Sequence, residues 1–340
     1  MHIAAIIMCI MKIDELGEFG LIDMIAKLIN KEYSSKKNIS KNLLLLGIGD
    51  DTSAWRTDSS KVELFTTDTM VSDVHFITDG IVWEELGWKA LAVNYSDIAA
   101  MGGEPLYSVI SLGLPHNTNV EDILNLYKGM MSLCRQFGGR VVGGDIVYSP
   151  VMFISVAVVG EGIDPPMTRH MAEIGDLVAV TGTLGMSAGG LRMLLNKLTL
   201  GTRSSKILRN AHNVPLPKIK QGQILHANGV KVAIDISDGL VSDLSKVCNA
   251  SEVGGVIYSG NLPVNKTLKK VFPNSWMELA LGGGEDYELL FTAPENIIEK
   301  VSSKIDISII GKIVSNKGTT IVDENGEPFY LHSKGWDHFI

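Results

Sequence analysis

Aspartate stands beside glycine or a hydroxyl residue at several points where an apolar stretch of this chain ends. LLLLGIGDDTSAW, Leu43 to Trp55, runs from four leucines into two glycines and the adjacent Asp50 and Asp51. One Asp can serve a turn, but a second beside it adds repulsion, so the loop is either solvated or holds a cation. VELFTTDT puts Asp68 just past an apolar strand, VVGGD puts Asp145 after another, and VAIDISDG puts Asp235 and Asp238 at the end of a third. Asp97 sits inside WKALAVNYSDIAAMGG, among largely apolar or small neighbours. A charge there costs free energy unless it is paired or bound to metal.

Taken singly, each of these acids has a structural use as a turn or helix N-cap residue, and Asp238 ahead of GLVSDLSKV can simply cap that helix. Taken together they point elsewhere. Strand-end loops in α/β proteins converge on one sheet edge, where ligands collect. Clustered carboxylates with hydroxyl neighbours such as Thr66, Thr67 and Ser237 are hard oxygen ligands suited to Mg²⁺, and no His/Cys set competes for a softer metal. Mg²⁺ characteristically bridges carboxylates to phosphates, so the expected ligand is a polyphosphate held through metal.

The familiar nucleotide loops are missing. There is no GxxxxGK followed by Ser or Thr, no GxGxxG opening a helix with an acid about 20 residues on, and no HRD and DFG pair. GTLGMSAGG, Gly182 to Gly190, either offers N–H groups to phosphate at a helix N-terminus or makes a tight strand-to-helix turn.

The elements that must position these residues alternate between Val- and Ile-rich runs and amphipathic segments, the pattern of an α/β or α+β protein with mixed sheets. Strands are expected near Leu43 to Leu46, Val62 to Thr66, Ser108 to Leu112, Val141 to Val142 and Val151 to Val159. Helices are expected near Trp83 to Met101, stopped by Gly102 and Gly103, and near Val120 to Phe137. After GIDPP, LVAVTGTLGMSAGGLRML reads as strand, glycine turn, helix. VAIDISDGLVSDLSKV repeats that order, and ELLFTAP closes with a strand. At 340 residues two domains are expected, dividing close to Pro165 into residues 1–165 and 166–340.

A net charge of −8 argues against nucleic acid or an anionic membrane surface as the main partner, so an anionic substrate needs metal ions or local positive groups. Cys9, Cys134 and Cys248 are scattered and odd in number, which fits a reducing cytoplasm and neither a disulfide framework nor a CxxC metal site. The leader MHIAAIIMCIMK is too short to span a bilayer and lacks a basic n-region. A start upstream of the native Met11 accounts for it at least as well as a signal peptide.

GEFGLI (Gly17 to Ile22), GIGDDTS, TTDTMVSDVHF, WKALAVNYSDIAAMGGEP, VVGGD, TGTLGMSAGGL, AIDISDGLVSDL, GGEDYELLFT and KGWDHF stand in an order that closely resembles thiamine-monophosphate kinase, over nearly the whole chain. The resemblance implies the two-domain PurM-like fold of the aminoimidazole ribonucleotide synthetase superfamily, with mixed sheets, flanking helices and an N-terminal domain that forms a homodimer interface. It implies ATP-dependent phosphorylation of thiamine monophosphate to thiamine diphosphate with several Mg²⁺ ions. It places metal ligands on Asp51, Thr66, Thr67, Asp68, Asp97, Asp145, Asp235 and Asp238, with Asp50 a weaker candidate. ATP would meet Gly144, Asp145, Arg169 and Ser237, and the thiamine moiety His75, Glu285 and Trp336. No general base is implied, because the attacking phosphate oxygen is already largely ionised, with a second pKa of about 6. After VVGGD the family continues with threonines and an arginine, whereas this chain reads IVYSP, Ile146 to Pro150. The alternatives are another ATP-using member of the superfamily and a non-catalytic metal and nucleotide binding protein.

Overall fold

A computed structural model of the protein describes residues 20, 22, 27, 44–46, 48–56, 60–331 and 335. The leader through Met11, Gly17 and Trp336 lie outside the described residues.

The first half forms β1 (Leu44–Leu46), β2 (Ser53–Arg56), β3 (Lys61–Val71), α1 (Trp83–Ala100), β4 (Glu104–Leu114), α2 (Val120–Phe137), β5 (Arg140–Tyr148) and β6 (Phe153–Ile163). These strands make one six-stranded sheet in the order β1-β2-β3-β6-β4-β5, antiparallel except for the β4 and β5 pair. The expectations for β3, β4 and β5 were too short; β3 and β5 continue through Asp68 and Asp145, which therefore lie within strands and not in the loops after them.

Alternation along β3 decides which side chains face inward. Val62, Leu64, Thr66 and Met70 are buried on one face, and Phe65, Thr67 and Thr69 are exposed on the other. Asp68 shares the inward parity. α1 lies against β3, β4 and β6 on one side, and against β8 and α5 of the second half on the other. Fourteen of its 18 residues are buried, which is why its sequence is apolar all round and not striped. α2 crosses it closely: a methyl group on Gly87 would overlap the Leu126 carbonyl, and one on Gly129 the carbonyl of Glu84.

The second half comprises β7 (Leu177–Thr181), α3 (Met186–Leu195), α4 (Thr202–Asn213), α5 (Ile219–Ala227), β8 (Val232–Asp235), α6 (Leu240–Ala250), β9 (Gly254–Tyr258), a 3₁₀ turn at Ser259–Asn261, α7 (Lys266–Val271), α8 (Trp276–Gly282), β10 (Leu289–Ala293), α9 (Glu295–Ser302), β11 (Ile307–Val314) and β12 (Gly318–Val322). Its sheet runs β12-β9-β11-β7-β10-β8, with only β12 and β9 parallel. Both faces of the central strands are covered, so these strands are apolar at nearly every position. Ala179, Ala233 and Phe291 join the core around α1, and Val178, Val180, Ile234 and Leu290 join a second core with Leu244 and Val247 of α6. Among the described residues no helix is long and apolar enough to cross a membrane.

Candidate active site

Three carboxylates from three elements converge. Asp51 comes from the loop between β1 and β2, Asp97 from the last turn of α1, and Asp235 from the end of β8, with one oxygen of each within 4.8 Å of the others. Thr66 on β3 donates its hydroxyl to Asp97 Oδ2 at 2.6 Å. Burial, then repulsion from Asp68, Asp235 and Asp51, pushes Asp97 well above the ordinary carboxylate value; burial and Asp51 do the same to Asp235. Asp68 is pushed up to about 6 by burial, then by Asp238 and Asp51, and Asp50 to about 7 by burial and Asp51. The buried Asp51 Oδ2 has no hydrogen-bond partner among the described residues. A set of clustered oxygens, one of them orphaned, with charges that oppose one another, fits a divalent hard cation.

Arg169, in the strap between β6 and β7, pairs its guanidinium with Asp51 and donates its backbone N–H to Asp50 Oδ2 at 3.1 Å. Against the cost of burial, the Asp51 carboxylate holds this guanidinium above its ordinary value. The expected nucleotide contact thus rests, in this structure, on a carboxylate of the metal set.

The loop after β8 is shaped by Asp243, which the sequence analysis passed over. Its Oδ2 accepts N–H groups of Ser237, Asp238 and Gly239 at 3.1–3.2 Å, and its Oδ1 accepts from Lys246 at 2.8 Å. Lys246 also reaches Asp238 Oδ2 at 2.6 Å. Asp243 is fully buried in the first turn of α6, where a carboxylate complements the helix N-terminus. Its signal in the sequence was the second acid of SDGLVSD, in phase with the first turn of the helix.

The GEDYE segment pairs with this loop. Glu285 N–H donates to Ser237 O at 2.7 Å and Tyr287 N–H to Ile236 O at 2.9 Å, and Glu285 and Tyr287 both have positive φ, 64° and 50°. Asp286 accepts the N–H groups of Gly185 and Ser187 at the start of α3. The chain's own carboxylate therefore takes the helix N-terminus that GTLGMSAGG offered, and the strand-to-helix turn is the correct reading of that stretch.

One cleft of about 1100 Å³ collects most of the expected residues. Its walls include Asp50, Asp51, Thr66, Asp68, Asp97 and Asp235. Ser237, Asp238, His75, Arg169 and Glu285 also border it. Thr67 borders it too, but its hydroxyl faces the other side of β3 and donates to Val156 O at 2.8 Å. Gly144 and Asp145 do not line it. β5 lies three strands from β3, and the register Thr69–Ser155–Ser111–Asp145 puts Asp145 on the outer face of the sheet, away from Asp97. Asp145 is exposed and its Oδ1 accepts the N–H of Ile146 at 3.0 Å.

Such a paired arrangement of mixed sheets, with an acidic cleft between them, defines the class of protein. Residues 49–162 match AIR synthase related protein, N-terminal domain, and residues 173–324 match AIR synthase related protein, C-terminal domain. Within that class the similarity is specific. The thiamine-monophosphate kinase of Aquifex aeolicus is 37% identical over 334 residues, 97% of this chain and 100% of the relative. That of Bacillus subtilis is 33% identical over 335 residues, 95% of this chain and 100% of the relative. The solved structure of AaThiL complexed with AMPPCP and TMP superposes with a TM-score of 0.83 at 36% identity, covering 96% of this chain and 99% of that one. The chain belongs to the thiamine-monophosphate kinase family.

Proposed function

We infer that this protein transfers the γ-phosphoryl group of ATP to thiamine monophosphate, giving thiamine diphosphate and ADP. The observation that carries this reading is the meeting of Asp51, Asp97 and Asp235 in a cleft large enough for two phosphorylated ligands, in a chain like AaThiL, which was solved with AMPPCP and TMP.

ATP and the acceptor phosphate are both strongly anionic, so an acidic cleft repels them unless cations intervene. Asp51, Asp97 and Asp235, with Asp68 and Asp238, would hold Mg²⁺, which when bound neutralises charge on the phosphates and orders their oxygens. The rest belongs to the chain. Thr66 orients Asp97 by its hydrogen bond, and Asp243 fixes Ser237 and Asp238 by their backbone N–H groups. Arg169, whose Nε and Nη2 both donate to Asp51 Oδ1, is poised to exchange that oxygen for those of a nucleotide phosphate, which a guanidinium can take bidentately. No side chain needs to act as general base, since the acceptor oxygen loses its proton near a pKa of about 6. Gly144 and Asp145 have no part in this reading because of where β5 lies. Glu285 and His75 would meet the thiamine moiety.

We place the two units on either side of Pro165, between the end of β6 at Ile163 and the start of β7 at Leu177. A homodimer is supported by the outer face of the first sheet, where, among the described residues, Phe65, Tyr107, Val109 and Val147 are exposed. A cytoplasmic setting is supported by the thiols of Cys134 and Cys248, neither in a disulfide.

The test is purified protein with ATP, Mg²⁺ and thiamine monophosphate, chromatographed for both products beside an EDTA control and an Asp68→Asn variant. Equal yields of thiamine diphosphate and ADP are expected, abolished by EDTA and lowered about 100-fold in the variant. ATP hydrolysis without thiamine diphosphate would refute the assignment.

A further inference from the structure

A second charged cluster lies where α1, α3, α4 and the GEDYE segment meet. Lys89 is 4% exposed on α1, a helix whose neighbouring positions are apolar. An ammonium does not stay buried in such surroundings without a compensating acceptor. Its Nζ lies 2.9 Å from Glu285 Oε1 and 3.4 Å from His212 Nε2. His212, buried on α4, lies 3.2 Å from Glu285 Oε2 and 3.1 Å from Ser187 Oγ through Nδ1. An ammonium can only donate, so Nε2 accepts and the imidazole proton sits on Nδ1, directed at Glu285 and Ser187. Burial and the Lys89 charge push His212 down to about 4, so the ring is neutral near pH 7.

The consequence falls on Glu285. Each of its carboxylate oxygens has a donor from a different element, and its backbone is held at φ 64°, a conformation that persists only where the surroundings determine it. Glu285 and His212 border the cleft and Lys89 does not, so the negative end of the cluster faces the ligand space and the positive end is behind it.

We propose that Lys89 and His212 are positioning residues that hold Glu285 ionised and aimed into the cleft, as the element that selects a cationic heteroaromatic ring on the acceptor phosphate. This inference rests on the proposed kinase reading and deepens it. Opposing the cost of burial, Lys89 and then His212 keep Glu285 below its ordinary value, and His75 adds to them. Tyr287, beside it, is held neutral by burial and the surrounding carboxylates. Loss of Lys89 removes a donor from Oε1 and the charge that does most to hold Glu285 ionised; His212, relieved of the same charge, shifts upward and offsets part of that loss at Oε2, so the partly buried Glu285 carboxyl keeps only some of its stabilisation. Its pKa then rises and it takes up a proton.

The experiment measures kcat and KM for thiamine monophosphate, KM for ATP, and KM for the neutral isostere in which carbon replaces the thiazolium nitrogen. It compares wild type, Lys89→Met, Lys89→Arg and His212→Gln between about pH 6 and 9. The wild type is expected to prefer the cationic ring by about tenfold in KM, the size of one partly screened charge contact. Lys89→Met loses that preference near pH 7 and regains it as pH rises and Glu285 ionises, while kcat and the ATP KM stay within about twofold. Lys89→Arg restores the wild-type profile. Taking the ratio of variant to wild-type KM cancels the ionisation of the substrate phosphate. His212→Gln, which keeps a donor for Glu285 but a looser one, gives a smaller loss in the same direction and serves if Lys89→Met does not fold. An unchanged preference in both variants, a pH-independent loss, or kcat and ATP KM falling together with it would overturn the inference and leave the kinase reading standing. Absence of thiamine diphosphate from the wild type would overturn both.

Discussion

Asp243 shows how much of this site is held by a residue with no place in the cleft. One carboxylate satisfies three consecutive N–H groups and a lysine, in a position that is 0% exposed. Asp243→Ala leaves the three N–H groups without their acceptor and leaves Lys246 to Asp238, and a loss of about 3 kcal/mol is expected from chemical denaturation, as for other broken buried pairs. Asp286 makes a pH-dependent contribution. Burial pushes it from an ordinary 3.8 up to about 7, with the Gly185 and Ser187 N–H groups opposing the rise. Across that window the folded chain keeps a proton that the unfolded chain has released, so this residue's contribution to stability falls as pH rises from about 4 to 7. Asp286→Asn stays neutral throughout. Its stability relative to wild type should improve steadily between about pH 4.5 and 7 and level off above, read from paired melting curves.

At the scale of the element, α1 carries more than any other helix. It contributes Asp97 to the metal set and Lys89 to the Glu285 cluster, and it packs against both sheets. Its seating depends on the close crossing with α2 at Gly87 and Gly129. Gly87→Ala forces the two helices apart, because the obstruction is the Leu126 backbone and not a side chain that can turn away. A loss of about 2–3 kcal/mol is expected in urea unfolding, although alanine is the better helix former by about 1 kcal/mol. Unchanged or raised stability would show that α2 can shift without cost.

At the scale of the whole molecule, the first sheet has one face on α1, and among the described residues its other face carries exposed apolar side chains. Charge placed on that outer face should act on assembly and leave the fold intact, since Val109 is 45% exposed. Val109→Asp is expected to convert a dimer to a monomer in sedimentation velocity, with an unchanged melting profile in dilute monomer. A wild type that sediments as a monomer at micromolar concentration would remove the second copy as the cover of that face.

The sequence by itself determined the chemistry. The oxygen-rich residue types, the apolar runs that place Asp51 and Asp235 at strand ends, and the charge of Asp97 in an apolar helix are all local facts, legible because charge burial has a cost wherever it occurs. Most of the strands and helices followed from periodicity, with boundaries short for β3, β4 and β5. Only the tertiary structure decided which acids meet. Pleating has period two, so Thr66 and Asp68 face the cleft and the Thr67 hydroxyl does not. Strand order is not written locally, so Asp145 stands on the outer face three strands away although its glycine-aspartate setting resembles the others. His212 came with no sequence signal at all. Its role exists because α4 packs beside α1, bringing residues 123 positions apart to 3.4 Å.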